Sequence, residues 1–350
     1  MQRSLGAYVI WLLARAVRGL RAWLLITASY VLYWCSFLRF GSFVVARHPG
    51  AADLANARRV AVFVHYDRYG VVDDYVYYYL QCIANAGFCI VLVSNSPDLR
   101  ATDLAKLREL CGLVILRKNV GLDFGAYKDG IAAIPDVRAL DTLMLANDSV
   151  YGPIHHLGSM VEKMDSQKAD VWGATDSWEI KFHLQSYFIL FHSRVLASDH
   201  FAMFWKKVRC VQSKAWVIRN YEVGLTRHFQ QGGFRCRALF QYREVATRIT
   251  DAVIARKLLD GETLDQTRKM YLTRILTSIV SGTPMNGSHY FWDYLITSMA
   301  FPFIKRDLLH RNPVRIPFLT YWEQLIKDAS TYDTDLILRH LERSLKNRSV

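Results

Sequence analysis

Lys118-Asn119-Val120-Gly121-Leu122-Asp123-Phe124-Gly125-Ala126-Tyr127-Lys128-Asp129-Gly130 is the stretch on which the fold turns. It follows a short apolar run, Leu113 to Leu116, and leads into helical spacing from Phe124 to Ile134. A strand-to-helix turn carrying Asn119 and Gly121 lets backbone N–H groups approach an anionic ligand. The helix N-terminus that follows favours phosphate. An ordinary turn with a capped helix would use the same residues. The context weighs against that plain reading. Thr142 to Ala146 (TLMLA) is a further short apolar run, and it ends in Asn147-Asp148-Ser149-Val150-Tyr151-Gly152-Pro153.

Upstream, Val60 to Val64 (VAVFV) and Cys89 to Val93 (CIVLV) are buried-strand patterns. Between them Tyr75 to Ala86 has helical spacing and stops at Gly87. Leu99 to Cys111 is an amphipathic helix with Asp98 or Thr102 as its cap. Strands alternating with helices predict an α/β fold, a mostly parallel sheet flanked by helices. Ligands of such sheets bind beyond the carboxyl ends of the strands. That selects the loops after His65, Val93, Leu116 and Ala146. Asp170 to Thr175, Ser186 to Phe191 and Gly233 to Phe240 read as extended, and Tyr221 to Gln231 as helical. Ala46 to Ala57 reads as a linker, and the chain from Asp251 onward as mainly helical. The expected division is therefore residues 1–45, an α/β domain at 58–245 and a helical region at 246–350.

The 350 residues are 52 % hydrophobic and 21 % charged, enough apolar surface for a core. The formal charge of +13 admits nucleic acid, anionic lipid or a phosphorylated substrate as partner. No zinc-finger, RRM or KH signature is present, so no nucleic-acid partner is expected. Before Val60 the cations Arg3, Arg15, Arg18, Arg21, Arg39, Arg47, Arg58 and Arg59 face a single acid, Asp53. Trp23 to Leu38 is uncharged but shorter than the roughly 20 residues a bilayer span needs. Arg15, Arg18 and Arg21 share one helix face, with aromatic residues opposite, which is the composition of an interfacial helix. The expectation is peripheral attachment at the cytoplasmic face of the cell membrane, or one short N-terminal membrane segment. Helices packed on the protein's own core are the competing reading. The six cysteines form no CxxC pair and read as reduced thiols.

Inverting glycosyltransferases of the GT-A fold carry a turn that Asn119, Gly121, Ala126 and Gly130 resemble, and Asn147-Asp148-Ser149 stands where their D-x-D motif belongs. Tyr221-Glu222-Val223-Gly224-Leu225 with Gly232-Gly233-Phe234 resembles their downstream element, in which Glu222 takes the place of the catalytic base. Finer phrases resemble the rhamnan synthesis protein F family. They are Gly121 to Tyr127, Asn147 to Pro153, Trp172-Gly173-Ala174-Thr175-Asp176-Ser177, His183-Leu184-Gln185-Ser186-Tyr187-Phe188 and His289-Tyr290-Phe291-Trp292-Asp293. The resemblance covers roughly Val60 to Pro313. It implies a GT-A-like transferase of polysaccharide, lipopolysaccharide or O-antigen synthesis. The implied donor is dTDP-rhamnose, and the implied acceptor is a glycan or lipid-linked glycan.

Transfer from such a donor needs stabilisation of the leaving diphosphate and removal of the acceptor's proton. Asp148 alone offers a carboxylate, beside the neutral Asn147 and Ser149. It either holds Mg²⁺ or Mn²⁺, or binds ribose or sugar hydroxyls without metal while Arg117, Lys118 or Lys128 carries the phosphate charge. An Asp-capped turn is the plain alternative. Asp123 either contacts the donor or caps its helix. Glu222 is the candidate base, and a solvated glutamate in a first helical turn is the plain alternative. His65, Asp67 and Tyr69 would hold the nucleotide base, with Ser94-Asn95 on the same rim. Asp176, Trp178, His183 and Gln185 would face the acceptor. His155-His156 lacks zinc spacing. Two other functions share these features: a phosphate-linked sugar or polyol transferase, and a non-catalytic membrane-attached scaffold of a polysaccharide assembly complex.

Overall fold

A computed structural model describes residue 24 and residues 26–38, 42–254 and 266–346. Its centre is a nine-stranded sheet in the order β1-β4-β3-β2-β5-β9-β7-β10, with β8 paired to β7. The strands are β1 (Val44–Pro49), β2 (Arg59–His65), β3 (Cys89–Ser94), β4 (Leu113–Arg117), β5 (Thr142–Asn147), β7 (Val171–Ser177), β8 (His183–Leu184), β9 (Phe188–His192) and β10 (Cys236–Phe240). Two-residue strands β6 (Val150–Tyr151) and β11 (Ile304–Lys305) pair separately. Strands β4, β3, β2 and β5 run parallel, β9 is antiparallel to β5 and β7, and β10 is parallel to β7. The sheet is therefore mostly parallel, as predicted.

The central strands read as continuous apolar runs because both faces of the sheet are buried. Ala61 and Phe63 of β2 join one core, and Val60, Val62 and Val64 join the other. The first core takes the helix Asp74–Asn85 and much of the C-terminal region, including Trp292, Ile296, Phe303, Ile326 and Ile337. The second takes Phe124, Ala126 and Tyr127 of the helix Leu122–Ile131, with Trp205, Leu225 and Phe229 from later helices.

Three local expectations are corrected. Residues 44–49, four of which fell in the expected linker, form edge strand β1, antiparallel to β4. His48-Pro49 is compatible with an edge, where a missing N–H costs no ladder bond. The helix Ala101–Leu110 begins after Arg100, with no side-chain cap from Asp98 or Thr102. The helix ending at Gln231 is preceded by a π-helical segment, Val217–Glu222.

Arg3, Arg15, Arg18 and Arg21 lie outside the described residues. Residues 26–35 are helical. One side of this helix docks on the α/β body. Tyr33 stacks on Trp216 with centroids 4.6 Å apart, and the Ser29 and Ser213 hydroxyls are 2.8 Å apart. Leu24, Val31, Trp34 and Leu38 are exposed. Among the described residues no helix is long and apolar enough to cross a membrane.

Candidate functional site

The Gly121 turn begins the site. Gly121 has φ +86°, and a Cβ there would lie 2.7 Å from the Cys210 Cα, so both the backbone and the neighbour require glycine. Its N–H donates to the Gln212 side-chain oxygen at 3.0 Å. The next helical turn carries Asp123. The turn is braced from beneath by Arg117, whose side chain is fully buried at the end of β4. Its guanidinium donates to Asp129 at 2.8 Å, to the Asn95 Oδ1 at 2.6 Å and to the Val120 carbonyl at 2.9 Å.

Strand β5 delivers Asn147 and Asp148 beside this turn. Asn147 donates to the Asp123 carboxylate at 3.1 Å and accepts from the Ser149 N–H at 3.1 Å. Asp148 is buried; its Oδ2 accepts from the Tyr66 N–H at 3.2 Å and pairs with the Arg306 guanidinium at 3.0 Å. From the segment Val217–Glu222 comes Glu222, whose Oε1 accepts from the Ser186 N–H at 2.8 Å and its hydroxyl at 3.0 Å. Burial, with the charges of Asp148 and Glu222, pushes the Asp123 carboxyl up to about 6. Three carboxylates from separate segments thus act on one another.

Two cations complete the centre. Lys305 places its ammonium 3.7 Å above the Tyr187 ring. Burial lowers it to about 8 against the opposing pull of Glu222, Asp307 and Asp123. Arg306 donates to the Tyr75 hydroxyl and the Asp148 carbonyl, each at 2.8 Å, besides its pair with the Asp148 carboxylate. Neither cation was expected from sequence. They stand far along the chain, beyond the His289 to Asp293 phrase and in no motif of their own, and the pairing of β11 with β6 brings them here.

The other expected site residues divide. His65 is buried at the end of β2, its Nδ1 3.3 Å from the Ser94 hydroxyl, and burial lowers its pKa. Asn95 is held by Arg117 and donates to the Leu122 carbonyl at 3.4 Å. The Asp67 carboxylate takes the N–H groups of Tyr69 and Val71 and, at 2.7 Å, the Arg343 guanidinium. Burial raises Asp67, but these partners outweigh it and hold the carboxyl below its usual value. Tyr69 is exposed beside it, and Asn119 is half-buried in its turn. The Lys128 ammonium is tied to the Val208 carbonyl at 2.6 Å. On the acceptor side, Asp176 is buried and accepts from the Tyr242 N–H and the Trp178 indole at 2.6 and 3.1 Å. The Trp178 ring also lies under Arg243 at 4.5 Å. His183 bonds to the Lys181 carbonyl at 2.8 Å, and Gln185 accepts from Thr175 at 2.6 Å. His155 bonds to the Ile296 carbonyl at 2.9 Å.

Fold and site together define an α/β protein with a charged centre at the carboxyl edge of its sheet. Residues 90–258 match the family described as rhamnan synthesis protein F. An uncharacterized protein, y4gN, of Sinorhizobium fredii is 33 % identical over 205 residues, 57 % of this chain and 51 % of that protein. The chain thus spans about half the length of that relative. The virulence protein VirA of Vibrio anguillarum is 29 % identical over 280 residues, 75 % of this chain and 83 % of that protein. Among solved structures, the glycosyltransferase GlyE of Streptococcus pneumoniae aligns with a TM-score of 0.29 at 12 % identity, over 71 % of this chain and 66 % of that one. A cytidylyltransferase of Leptospira borgpetersenii aligns with a TM-score of 0.29 at 9 % identity, over 53 % of this chain and 75 % of that one. Likenesses this faint carry no inference about activity.

Proposed function

We propose that this chain is a glycosyltransferase that moves a sugar from a nucleotide donor to a glycan or lipid-linked glycan. The observation that carries the reading is the hydrogen bond of Asn147 to Asp123 beside the Gly121 turn, where the charges of Asp148 and Glu222 also reach, with the family match over residues 90–258 in support. A nucleotide-sugar enzyme with a GT-A-like arrangement would use these groups as follows. The sheet edge near His65 and Asn95 takes the nucleotide, and the Gly121 turn takes the diphosphate. Asp123 and Asn147 share a hydrogen bond that fixes them toward the donor's hydroxyls. Glu222, oriented by Ser186, receives the acceptor's hydroxyl proton. The acceptor oxygen then bonds to the anomeric carbon as the carbon–phosphate-oxygen bond breaks. Its electron pair stays on the diphosphate, and the centre inverts. The family's description favours a rhamnose donor, which would be dTDP-rhamnose.

Two measurements test this. The full chain should be stabilised thermally by one member of a nucleotide-sugar panel. Glu222→Gln keeps an acceptor for the Ser186 N–H while removing the base, and should slow transfer about 10²- to 10⁴-fold with the fold intact. Transfer at the normal rate would reject Glu222 as base. The exposed Leu24, Val31, Trp34 and Leu38 support attachment to a membrane surface through the N-terminal helix. Deletion of residues 1–40 should release the protein from anionic vesicles, and continued co-sedimentation would place the contact elsewhere.

A further inference from the structure

Three carboxylates are a poor reception for a diphosphate unless positive charge is set among them. Of the three cations nearest the Gly121 turn in sequence, two are already engaged, and the third, Lys118, is exposed at the end of β4. Arg117 is buried beneath the turn on Asp129 and Asn95, and Lys128 is bonded to the Val208 carbonyl. A divalent ion held on Asp148 would need about six oxygen ligands. The donor set does not fit that need. Asp148 is the only carboxylate of its turn, and its Oδ2 is taken by Arg306 and the Tyr66 N–H. Among the described residues no three His, Cys, Asp or Glu side chains cluster to hold a metal.

The charge at this place comes from the C-terminal part of the chain, and it is built in. Lys305 stands opposite Val150 in the β11–β6 pairing, and the Arg306 N–H donates to the Ser149 carbonyl at 3.0 Å. These backbone bonds fix the two cations against the Asn147-Asp148-Ser149 turn. The Arg306 guanidinium covers Asp148 from one side, and the Lys305 ammonium lies over Tyr187 within the field of Asp123 and Glu222. Lys214 is exposed at the rim, and its charge also reaches Asp123 and Lys305.

Resting on the transferase reading above, we propose that Lys305 and Arg306 neutralise the leaving diphosphate in place of a divalent cation, so that donor binding and transfer are metal-independent. When the bond from the anomeric carbon to the diphosphate oxygen breaks, the electron pair stays on that oxygen. Charge-assisted hydrogen bonds from the two side chains receive it. The acceptor's proton is on Glu222, so the step balances without a further reactant.

The test is calorimetric titration of the full-length protein with dTDP, UDP and GDP, in EDTA and in Mn²⁺. One of these nucleoside diphosphates should bind in EDTA, with an affinity that Mn²⁺ changes by less than about twofold. Lys305→Met should weaken that binding about tenfold or more, the loss of one charge-assisted hydrogen bond, while leaving the thermal transition in place. Arg306→Lys should weaken it less than Arg306→Gln. Arg306 also ties Tyr75 and Asp148 together, so Lys305→Met carries the test if the Arg306 variants unfold. Binding that EDTA abolishes and Mn²⁺ restores would overturn the proposal and leave the transferase reading standing. Full binding by Lys305→Met would overturn it equally. If no nucleoside diphosphate or nucleotide sugar binds under either condition, both readings fall.

Discussion

Replacing Arg117 by methionine should unfold the donor turn from below. Methionine fills much of the space and removes every donor. The guanidinium is fully buried and makes three hydrogen bonds to oxygen, at the Asp129 carboxylate, the Asn95 Oδ1 and the Val120 carbonyl, besides a longer one to the Cys210 Sγ. Breaking a buried ion pair by deleting one partner costs about 3–5 kcal/mol. The Asp129 side chain is 24 % exposed and can be hydrated, which points to the low end of that range. Asn95 is 2 % exposed and its freed oxygen has little water to turn to, which adds to the cost. A loss of about 3 kcal/mol follows. With a urea slope of about 3 kcal/mol/M for a chain of this size, the midpoint falls by about 1 M. Circular dichroism and tryptophan fluorescence should give coincident curves for this arithmetic to hold. Arg117→Lys should recover only part of the loss, because an ammonium cannot reach three separated acceptors as a planar fork does. An unchanged midpoint for Arg117→Met, or full recovery by lysine, would refute the reasoning.

Asp123 gives a pH signature. Its folded pKa of about 6 lies above the ordinary 3.8, so the fold favours the protonated acid. The associated stability is full below the ordinary value and is lost as pH rises through about 6. Asp123→Asn should therefore gain stability over the unmodified protein between about pH 4 and 7, measured by urea unfolding, and a constant difference across that range would sink the burial argument. Gly121→Ala should cost about 2–3 kcal/mol, from its left-handed backbone and the contact with Cys210, on thermal or urea unfolding. Gly224→Ala, where an added Cβ meets nothing, should stabilise its helix by about 0.5–1 kcal/mol. Equal effects of the two substitutions would show that the Gly121 geometry is not required.

The sheet was legible for a physical reason. Parallel strands covered on both faces leave uninterrupted apolar runs such as VAVFV, CIVLV and TLMLA, and these are hard to mistake. Strand β1 alternates between half-buried and exposed residues and contains His48-Pro49, so it lacks that signal. Strand β11 has two residues, and its pairing with β6 is a contact across half the chain that no local pattern encodes. The same division runs through the site. Asn147 and Asp148 end a readable strand, and Asp123 opens a readable helix. Lys305, Arg306 and Arg343 are cations among many in a chain of charge +13, and nothing near them in sequence marks them out.

That contrast has a consequence for where activity resides. The acids Asp67, Asp73, Asp123, Asp148 and Glu222 all lie before residue 246, whereas their facing cations Lys305, Arg306 and Arg343 all lie after it. Arg343 bridges Asp67 and Asp73 in the loop after β2, as Arg306 covers Asp148. Removing the chain beyond residue 245 would strip these carboxylates of their partners and would bare the sheet face now covered by Phe303, Ile326 and Ile337. Buried carboxylates without partners either take up protons or fill with water, and in both cases an anion-binding site is lost. The α/β portion carries most of the legible motifs, but the ion-pair partners of Asp67, Asp73 and Asp148 come from the part of the sequence beyond it.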